Sequence, residues 1–481
     1  MLLVFGTDGW RDVIADGFTV ARVRRAVHGY AAHLLAEGPG LVLVAHDTRF
    51  GGARFAHAAA EVLTRAGHEV RLHRGPLPTP VLSFAVRHLG ARGAVMLTAS
   101  HNTADYNGVK LKGPYGGTAD TATYEDVARR ANAIVDDDVE WAPLRDVAPF
   151  DVREDYFAHV ASLLDLAVLR AWRGTLVHDA MHGAAAGWIA DFVRWAELPC
   201  TVEAMRADPD PLFGGGQPEP MPAQLHALRD RLRGADPART LGVATDGDGD
   251  RLGVVTAGSG VWTSHQVLAL LVDHLQRLGG TGRVVHTVTV SRLVPRLARA
   301  RGLEVTQTGV GFKHLVAELL RGDVLVAGEE SGGFAVRGHV PERDGILNAL
   351  LVLEALASAG DLDVRFAALE REARWRHAYD RRDLEVADDS TGAAVMAALA
   401  DAPATFAGAR VVGVERLDGV RLDLEGDRWV LFRASGTERV LRLYCEAPDG
   451  EAVARTLDAA EAFVALHDGT GGAARSPQTS R

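Results

Sequence analysis

Residues 241–251 read LGVATDGDGDR, an apolar run that ends abruptly in three aspartates separated by single glycines. A short run of this kind bounded by a polar turn predicts a strand buried on both faces, as in a parallel α/β sheet. The same plan occurs twice more, in GAVMLTASHN (93–102) and VLVAGEESGG (324–333). An earlier strand precedes each: LVLVA (41–45) before Asp47, 174–178 before Asp179, and 283–286 before Thr287. Between them lie helix-periodic segments, such as the stretch from about Thr19 to Glu37, with Val20, Val23, Val27, Ala31 and Leu34 on one stripe and Gly38-Pro39-Gly40 as its stop. Three α/β units of one plan follow, each with a polar loop at the carboxyl edge of its sheet, the edge at which such sheets bind ligands.

From about Trp375 the texture changes. Residues 410–435, RVVGVERLDGVRLDLEGDRWVLFRAS, predict antiparallel hairpins, and a helix is expected from about Glu451 to Leu466. The expected organisation is four domains: 1–145, 146–256, 257–373 and a smaller α+β domain at 374–467. Residues 468–481 offer little to bury and read as a disordered tail. A chain of 481 residues is long enough for several cores.

A formal charge of −11 disfavours a partner built of phosphate backbone or an anionic membrane surface, so neither nucleic acid nor membrane is expected. No uncharged run approaches the ~20 residues of a membrane span, and Cys200 and Cys445 are too few for a disulfide framework. A cytoplasmic location is the simplest expectation. Only three of the 52 basic residues are lysines, Lys110, Lys112 and Lys313.

Four loops carry the candidate chemistry. In TDGDGDR, alternate side chains share a side, so Asp246, Asp248 and Asp250 can converge on a hard cation while the glycines let the chain bend. A calcium EF-hand is excluded, because its sixth position would be Arg251 and its twelfth Ala257; a solvated acidic turn is the plain alternative. TASHN (98–102) exposes the Ser100 hydroxyl at a strand end without a G-x-S-x-G elbow, and a bland Ser/Thr loop would read the same way. Downstream, NGVKLKG (107–113) places Lys110 and Lys112 on one strand face, and a lysine of lowered pKa can move a proton where arginine cannot. GEESGG (328–333) offers Glu329 and Ser331 to hydroxyls, or to a helix start. RASGTERVLRLY (433–444) supplies Arg433 with Ser435, Gly436 and Thr437, a phosphate cradle or a plain turn.

In order, FGTDGWR, TASHN, DGDGDR, GEESGG and RASGTE resemble the α-D-phosphohexomutase superfamily, which includes phosphoglucomutase and phosphomannomutase. The resemblance implies three related α/β domains with mixed sheets and a smaller α+β C-terminal domain around a central cleft. It implies that Ser100 is phosphorylated, that Asp246, Asp248 and Asp250 bind Mg²⁺ with the Ser100 phosphoryl group, that Arg11 faces the transferring group, and that Arg251, beside the metal ligands, binds substrate. Glu329 and Ser331 would hold sugar hydroxyls, with Gly309, Lys313 and His339 also on the substrate. Arg433, Ser435, Gly436, Thr437 and Arg442 would bind the non-reacting phosphate. Lys110 is the first candidate for the second acid/base, with His101 and His339 behind it, since Gly333 and Arg343 stand where relatives carry His and Lys. The expected reaction interconverts glucose 1-phosphate and glucose 6-phosphate through glucose 1,6-bisphosphate, with mannose and then glucosamine phosphate as alternative substrates. A phosphosugar phosphatase or a non-catalytic phosphosugar-binding protein is the reading from another class. Monomer and homodimer are both compatible.

Overall fold

The computed structural model describes residues 2–6, 8–134, 146–386, 389–434 and 439–467. The expected disordered tail and the Ser435, Gly436 and Thr437 cradle therefore lie outside the described residues.

The strand that carries the serine loop, Gly93–Leu97, is buried along its whole length. It lies in a six-stranded sheet, parallel to Leu41–His46 and antiparallel to Tyr106–Lys112, which in turn pairs antiparallel with Trp10–Val13. Arg11 and Lys110 are thus brought beside the serine loop by strand pairing. The strand that leads into the acidic loop, Thr240–Thr245, has the equivalent place in a five-stranded sheet: parallel to Thr175–Asp179, antiparallel to Leu252–Thr256. Val324–Gly328, which leads into GEESGG, pairs antiparallel with Phe334–Val336. The predicted first strands are observed at Leu41–His46, Thr175–Asp179 and Arg283–Thr287, each within a residue of its expected bounds.

The first helix spans Val20–Leu34. Thr19 caps it by accepting from Arg22 N, and a 3₁₀ turn, Leu35–Glu37, finishes the predicted stretch before Gly38 at φ 95°. On the predicted stripe, Val23, Val27 and Ala31 are buried, while Val20 and Leu34 pack at the rim of the core. No single helix among the described residues is long and apolar enough to cross a membrane; one sharply bent pair, Gly345–Ala359 and Leu362–Ala373, reaches that length and composition together. Cys200 and Cys445 are free thiols.

The chain divides into two compact units, Met1–Gly282 with Gly311–Arg365, and Arg283–Val310 with the described residues from Phe366 onward. In the second unit, Arg283–Thr287 pairs parallel with Val305–Thr308. A second sheet there is entirely antiparallel, in the order Ala378–Glu385, Val440–Ala447, Arg428–Ala434, Val420–Leu424, Ala409–Glu415, Thr405–Phe406, covered by the helix Gly450–Ala465. The hairpins and terminal helix thus follow the predicted pattern. Buried Glu446 ties this unit together by accepting from Ser291 Oγ, from Arg292 N at 3.0 Å and from Trp429 Nε1 at 2.8 Å, with His377 Nδ1 also at 2.8 Å. Burial alone would raise this carboxyl, but the His377 and Ser291 contacts hold it down at about 2.

Three half-buried or buried histidines, His159, His178 and His286, are pushed down to about 4, in each case chiefly by removal of the ring from water. Their native pKa values lie below the unfolded value of 6.5, so their share of stability is fully present above that pH. It is lost as pH falls from 6.5 through about 4, where the unfolded chain takes up protons the native rings refuse. Histidine-labelled NMR should show these three rings titrating near pH 4; titration near 6.5 would contradict the packing described.

Candidate active site

Ser100 stands at the tip of its loop with φ 52°, a left-handed conformation that costs a serine energy and must be held by its surroundings. Arg49 is the principal restraint. Its fully buried guanidinium donates to the carbonyls of Ser100 (2.7 Å), Asn102 (2.6 Å), Thr103 (2.6 Å) and Tyr106 (3.0 Å), and to Asp47 Oδ2 at 3.2 Å. Thr98 completes the frame, accepting from Ser100 N at 2.8 Å and donating to Asp47 Oδ2 at 2.5 Å. Burial lifts the Asp47 carboxyl to about 6 despite Arg49 beside it.

The Ser100 hydroxyl donates to Asp246 Oδ2 at 2.8 Å, joining the serine loop to the acidic loop. The approach of the two loops requires glycine at 247, where a Cβ would lie 2.6 Å from the Ser100 carbonyl oxygen. Asp246 Oδ1 in turn accepts the backbone N–H groups of Asp250 (3.0 Å) and Arg251 (3.1 Å).

Asp246, Asp248 and Asp250 are all buried, and one carboxylate oxygen from each lies within 4.8 Å of the others. Asp248 Oδ2 accepts from Thr79 Oγ1 (2.7 Å) and Lys110 Nζ (2.8 Å), and Asp250 Oδ2 meets Lys110 Nζ (3.0 Å) and Arg343 Nη2 (2.9 Å). The other oxygens, Asp248 Oδ1 and Asp250 Oδ1, are buried without a hydrogen-bond partner among the described residues. Orphaned carboxylate oxygens are costly in a protein interior. Burial, with the neighbouring Asp248 and Asp250, holds the Asp246 carboxyl well above the usual carboxylate range. An all-oxygen, multiply acidic donor set with two free lone-pair sites fits a hard divalent cation such as Mg²⁺.

The sequence reading missed three members of this cluster. Asp8, at 3.1 Å from Lys110 Nζ, accepts from Arg343 Nη2 at 2.6 Å. Arg343 lies 4.8 Å over the Phe312 ring and also faces Glu329 (3.7 Å) and Glu342 (3.5 Å). Arg49 is the third. Most of their partners are distant in sequence; the local signals were the FGTDGWR loop that holds Asp8, the polar turn HDTR after the first strand, and Arg343 standing where relatives carry Lys.

Lys110 differs from expectation. Burial would depress its ammonium, but Asp248, Asp250 and Asp8 outweigh burial and raise it above the ordinary lysine range. In this arrangement it is a fixed counter-charge, the reverse of the lowered pKa that proton transfer calls for. Lys112 is equally buried and pairs with Glu342. His101 Nδ1 accepts from Arg251 Nη2 at 2.8 Å and lies 3.5 Å from Ser100 Oγ. Burial, with Arg251 and Arg11 adding repulsion, pushes this imidazole well below 6.5, so it is neutral with its proton on Nε2. Arg251 also donates to Glu219 at 2.6 Å, and Arg11 donates to Asn102 at 2.8 Å.

Glu329 is buried, accepts from Gly311 N at 3.1 Å, and is raised by that burial against the pull of Arg343. Ser331 follows it, half-buried, and Lys313 lies half-buried on the first turn of Phe312–Leu319. His339 departs from the prediction of a substrate or acid/base role. Its side chain is closed off from solvent, 3.0 Å from both His159 Nε2 and Asp344 Oδ2, in a network that includes the Tyr156 hydroxyl. Asp344 is fixed there as the cap of Gly345–Ala359.

In the second unit, Arg433 and Arg442 are directly opposed on neighbouring antiparallel strands, and Asp383 stands 3.5 Å from Arg442. Asp418 bridges Arg433 (3.0 Å) to Val310 N (2.8 Å), next to Gly309.

Four family descriptions match in chain order. They are phosphoglucomutase/phosphomannomutase domain I at residues 2–137, domain II at 154–260, domain III at 263–371 and the C-terminal domain at 384–462. The chain belongs to the phosphoglucomutase/phosphomannomutase family, whose members are phosphohexomutases, intramolecular phosphotransferases. It is similar to a crystal structure from Thermus thermophilus named "putative phosphomannomutase", with 42% identity and a TM-score of 0.87 over 96% of this chain and 99% of that one. Among curated relatives, a "Phosphoglucomutase/phosphomannomutase" of Thermococcus kodakarensis is 28% identical over 93% of this chain and 95% of its own length. A "Probable phosphoglucosamine mutase" of Methanothermobacter thermautotrophicus is 30% identical, covering 93% and 94%.

Arg49→Lys keeps the charge but cannot reach four carbonyls and a carboxylate together. It should lower kcat by about ten- to a hundredfold with little change in KM, as expected for a misplaced nucleophile; steady-state kinetics with wild-type values would remove Arg49 from the positioning role.

Proposed function

We propose that this phosphohexomutase interconverts the 1- and 6-phosphates of mannose and glucose through a Ser100 phosphoenzyme and a hexose 1,6-bisphosphate. The observation that carries the phosphoryl-transfer reading is the Ser100 hydroxyl on Asp246, beside two orphaned carboxylate oxygens. The substrate choice is supported by the relatives named for mannose or for both sugars. The expectation of glucose as first substrate is a weak one, because a single loop residue discriminates poorly between sugars that differ at one hydroxyl.

Asp246, Asp248 and Asp250 would hold Mg²⁺, which supplies charge neutralisation for the phosphoryl oxygens. Arg49, Thr98 and the strained Ser100 backbone present the Oγ at a fixed point, so little reorganisation is needed when the phosphoryl group leaves it. Lys110 keeps Asp248 ionised and fixes the orientation of Asp248 and Asp250. Arg251 and Arg11 supply guanidinium groups near the serine loop, and His101, lowered chiefly by burial, accepts from Arg251. Glu329 and Ser331 would accept and donate to sugar hydroxyls, with Lys313 and Gly309 as further substrate contacts. Arg433 and Arg442, with Ser435, Gly436 and Thr437, would bind the phosphate that does not react. Phosphoryl passes from Ser100 Oγ to the 6-hydroxyl oxygen of the hexose 1-phosphate, whose proton ends on Ser100 Oγ; the bisphosphate turns over and returns its 1-phosphoryl group to Ser100 Oγ, whose proton ends on the sugar 1-oxygen, leaving the 6-phosphate.

Ser100→Ala should abolish turnover while retaining hexose phosphate binding; near-wild-type activity would overturn the assignment. In coupled assays with catalytic hexose 1,6-bisphosphate, kcat/KM for mannose and glucose 1-phosphates should agree to within about tenfold, and glucosamine 1-phosphate should be worse by more than that. A preference for glucosamine, or release of free phosphate without hexose 6-phosphate, would contradict the proposal.

A further inference from the structure

The second unit contains a cavity of about 430 Å³ that shares no residue with the Arg433–Arg442 pair. Arg292, Arg296 and Arg299 line it, at the cap and on one face of the helix Leu293–Ala300, spaced i, i+4 and i+7. Arg421 lines it from the strand Val420–Leu424. In a chain that uses arginine almost everywhere, the residue type is no signal; the convergence is. Like charges at these helical spacings repel, and arginines gathered about one hollow are destabilising unless something answers them.

The protein answers them in part. Glu415 is the single carboxylate in the wall, 3.7 Å from Arg421 and already accepting from Gln307 at 3.1 Å. Asp423 meets Arg292 and, at 3.3 Å, Arg421, while exposed Asp427 stands 3.5 Å from Arg296. Arg299 has no carboxylate within ion-pairing distance among the described residues and is exposed at the rim. His286, buried in the wall, is neutral, so it adds an uncharged polar group. Val290, Pro295 and Val305 provide apolar wall.

We propose that this cavity is an accessory binding site for a small anion with a terminal phosphoryl group, of the diphosphate class, separate from the catalytic phosphate positions. Guanidinium forks from the helix and the strand suit terminal phosphoryl groups, each with three equivalent oxygens. The volume lies within the range of small-molecule sites.

Inorganic pyrophosphate is the probe, titrated calorimetrically into the full-length protein in metal-free buffer. One equivalent should still bind in Arg433→Ala. Its affinity should fall by about tenfold or more, the scale of a lost charge-assisted contact, in Arg299→Glu and, independently, in Gln307→Glu. Hexose phosphate turnover measured without pyrophosphate should stay at the wild-type level in Arg299→Glu, whose side chain is exposed. Wild-type affinity in both pocket variants, or complete loss of pyrophosphate binding in Arg433→Ala, would overturn the proposal.

Discussion

Three buried carboxylates within 4.8 Å of one another are the constraint around which the first unit is organised. Like charges at that separation in a water-poor setting are tolerable only with opposing charge or protonation. The chain supplies Lys110 and Arg343 and leaves two oxygens unanswered. Asp8 joins the cluster and binds the same two cations, and Arg251 stands 3.9 Å from Asp246, so four carboxylates face three positive groups. A divalent cation would answer the two unpartnered oxygens, and the Ser100 hydroxyl stands 2.8 Å from Asp246, one of its expected ligands. The glycine at 247, the strained serine and the Arg49 clamp all serve this approach of two loops.

Much of this was legible in the sequence because it is local. Apolar runs that stop at polar loops marked the strands Gly93–Leu97, Thr240–Thr245 and Val324–Gly328, whose burial on both faces gives them that composition. The Asp-Gly-Asp-Gly-Asp alternation announced converging carboxylates. Element ends shifted by a residue or two, as at the 3₁₀ turn after Leu34, where the periodic pattern runs on past the α-helical hydrogen bonds.

What the sequence did not show depends on long-range partners. Lys110 meets carboxylates 138 and 140 positions away, and those contacts reverse the sign of its shift from the one a lone buried lysine would have. Arg49 reads as an ordinary member of an arginine-rich chain, and Arg343 only as a replacement for a relative's Lys, until their partners are known. His339 was one histidine among 19, and only its place between His159 and Asp344 separates it from the serine loop's chemistry. Sugar preference is less legible still, because it turns on how a pocket meets a single hydroxyl.

If the acidic loop and Ser100 form one divalent-metal site, crystals soaked in Mn²⁺ and measured at the manganese absorption edge will reveal it most directly. The expected result is one strong anomalous peak ligated by carboxylate oxygens of Asp246, Asp248 and Asp250, beside the oxygen of Ser100. A trio without a peak, or a peak held elsewhere in the chain, would contradict it.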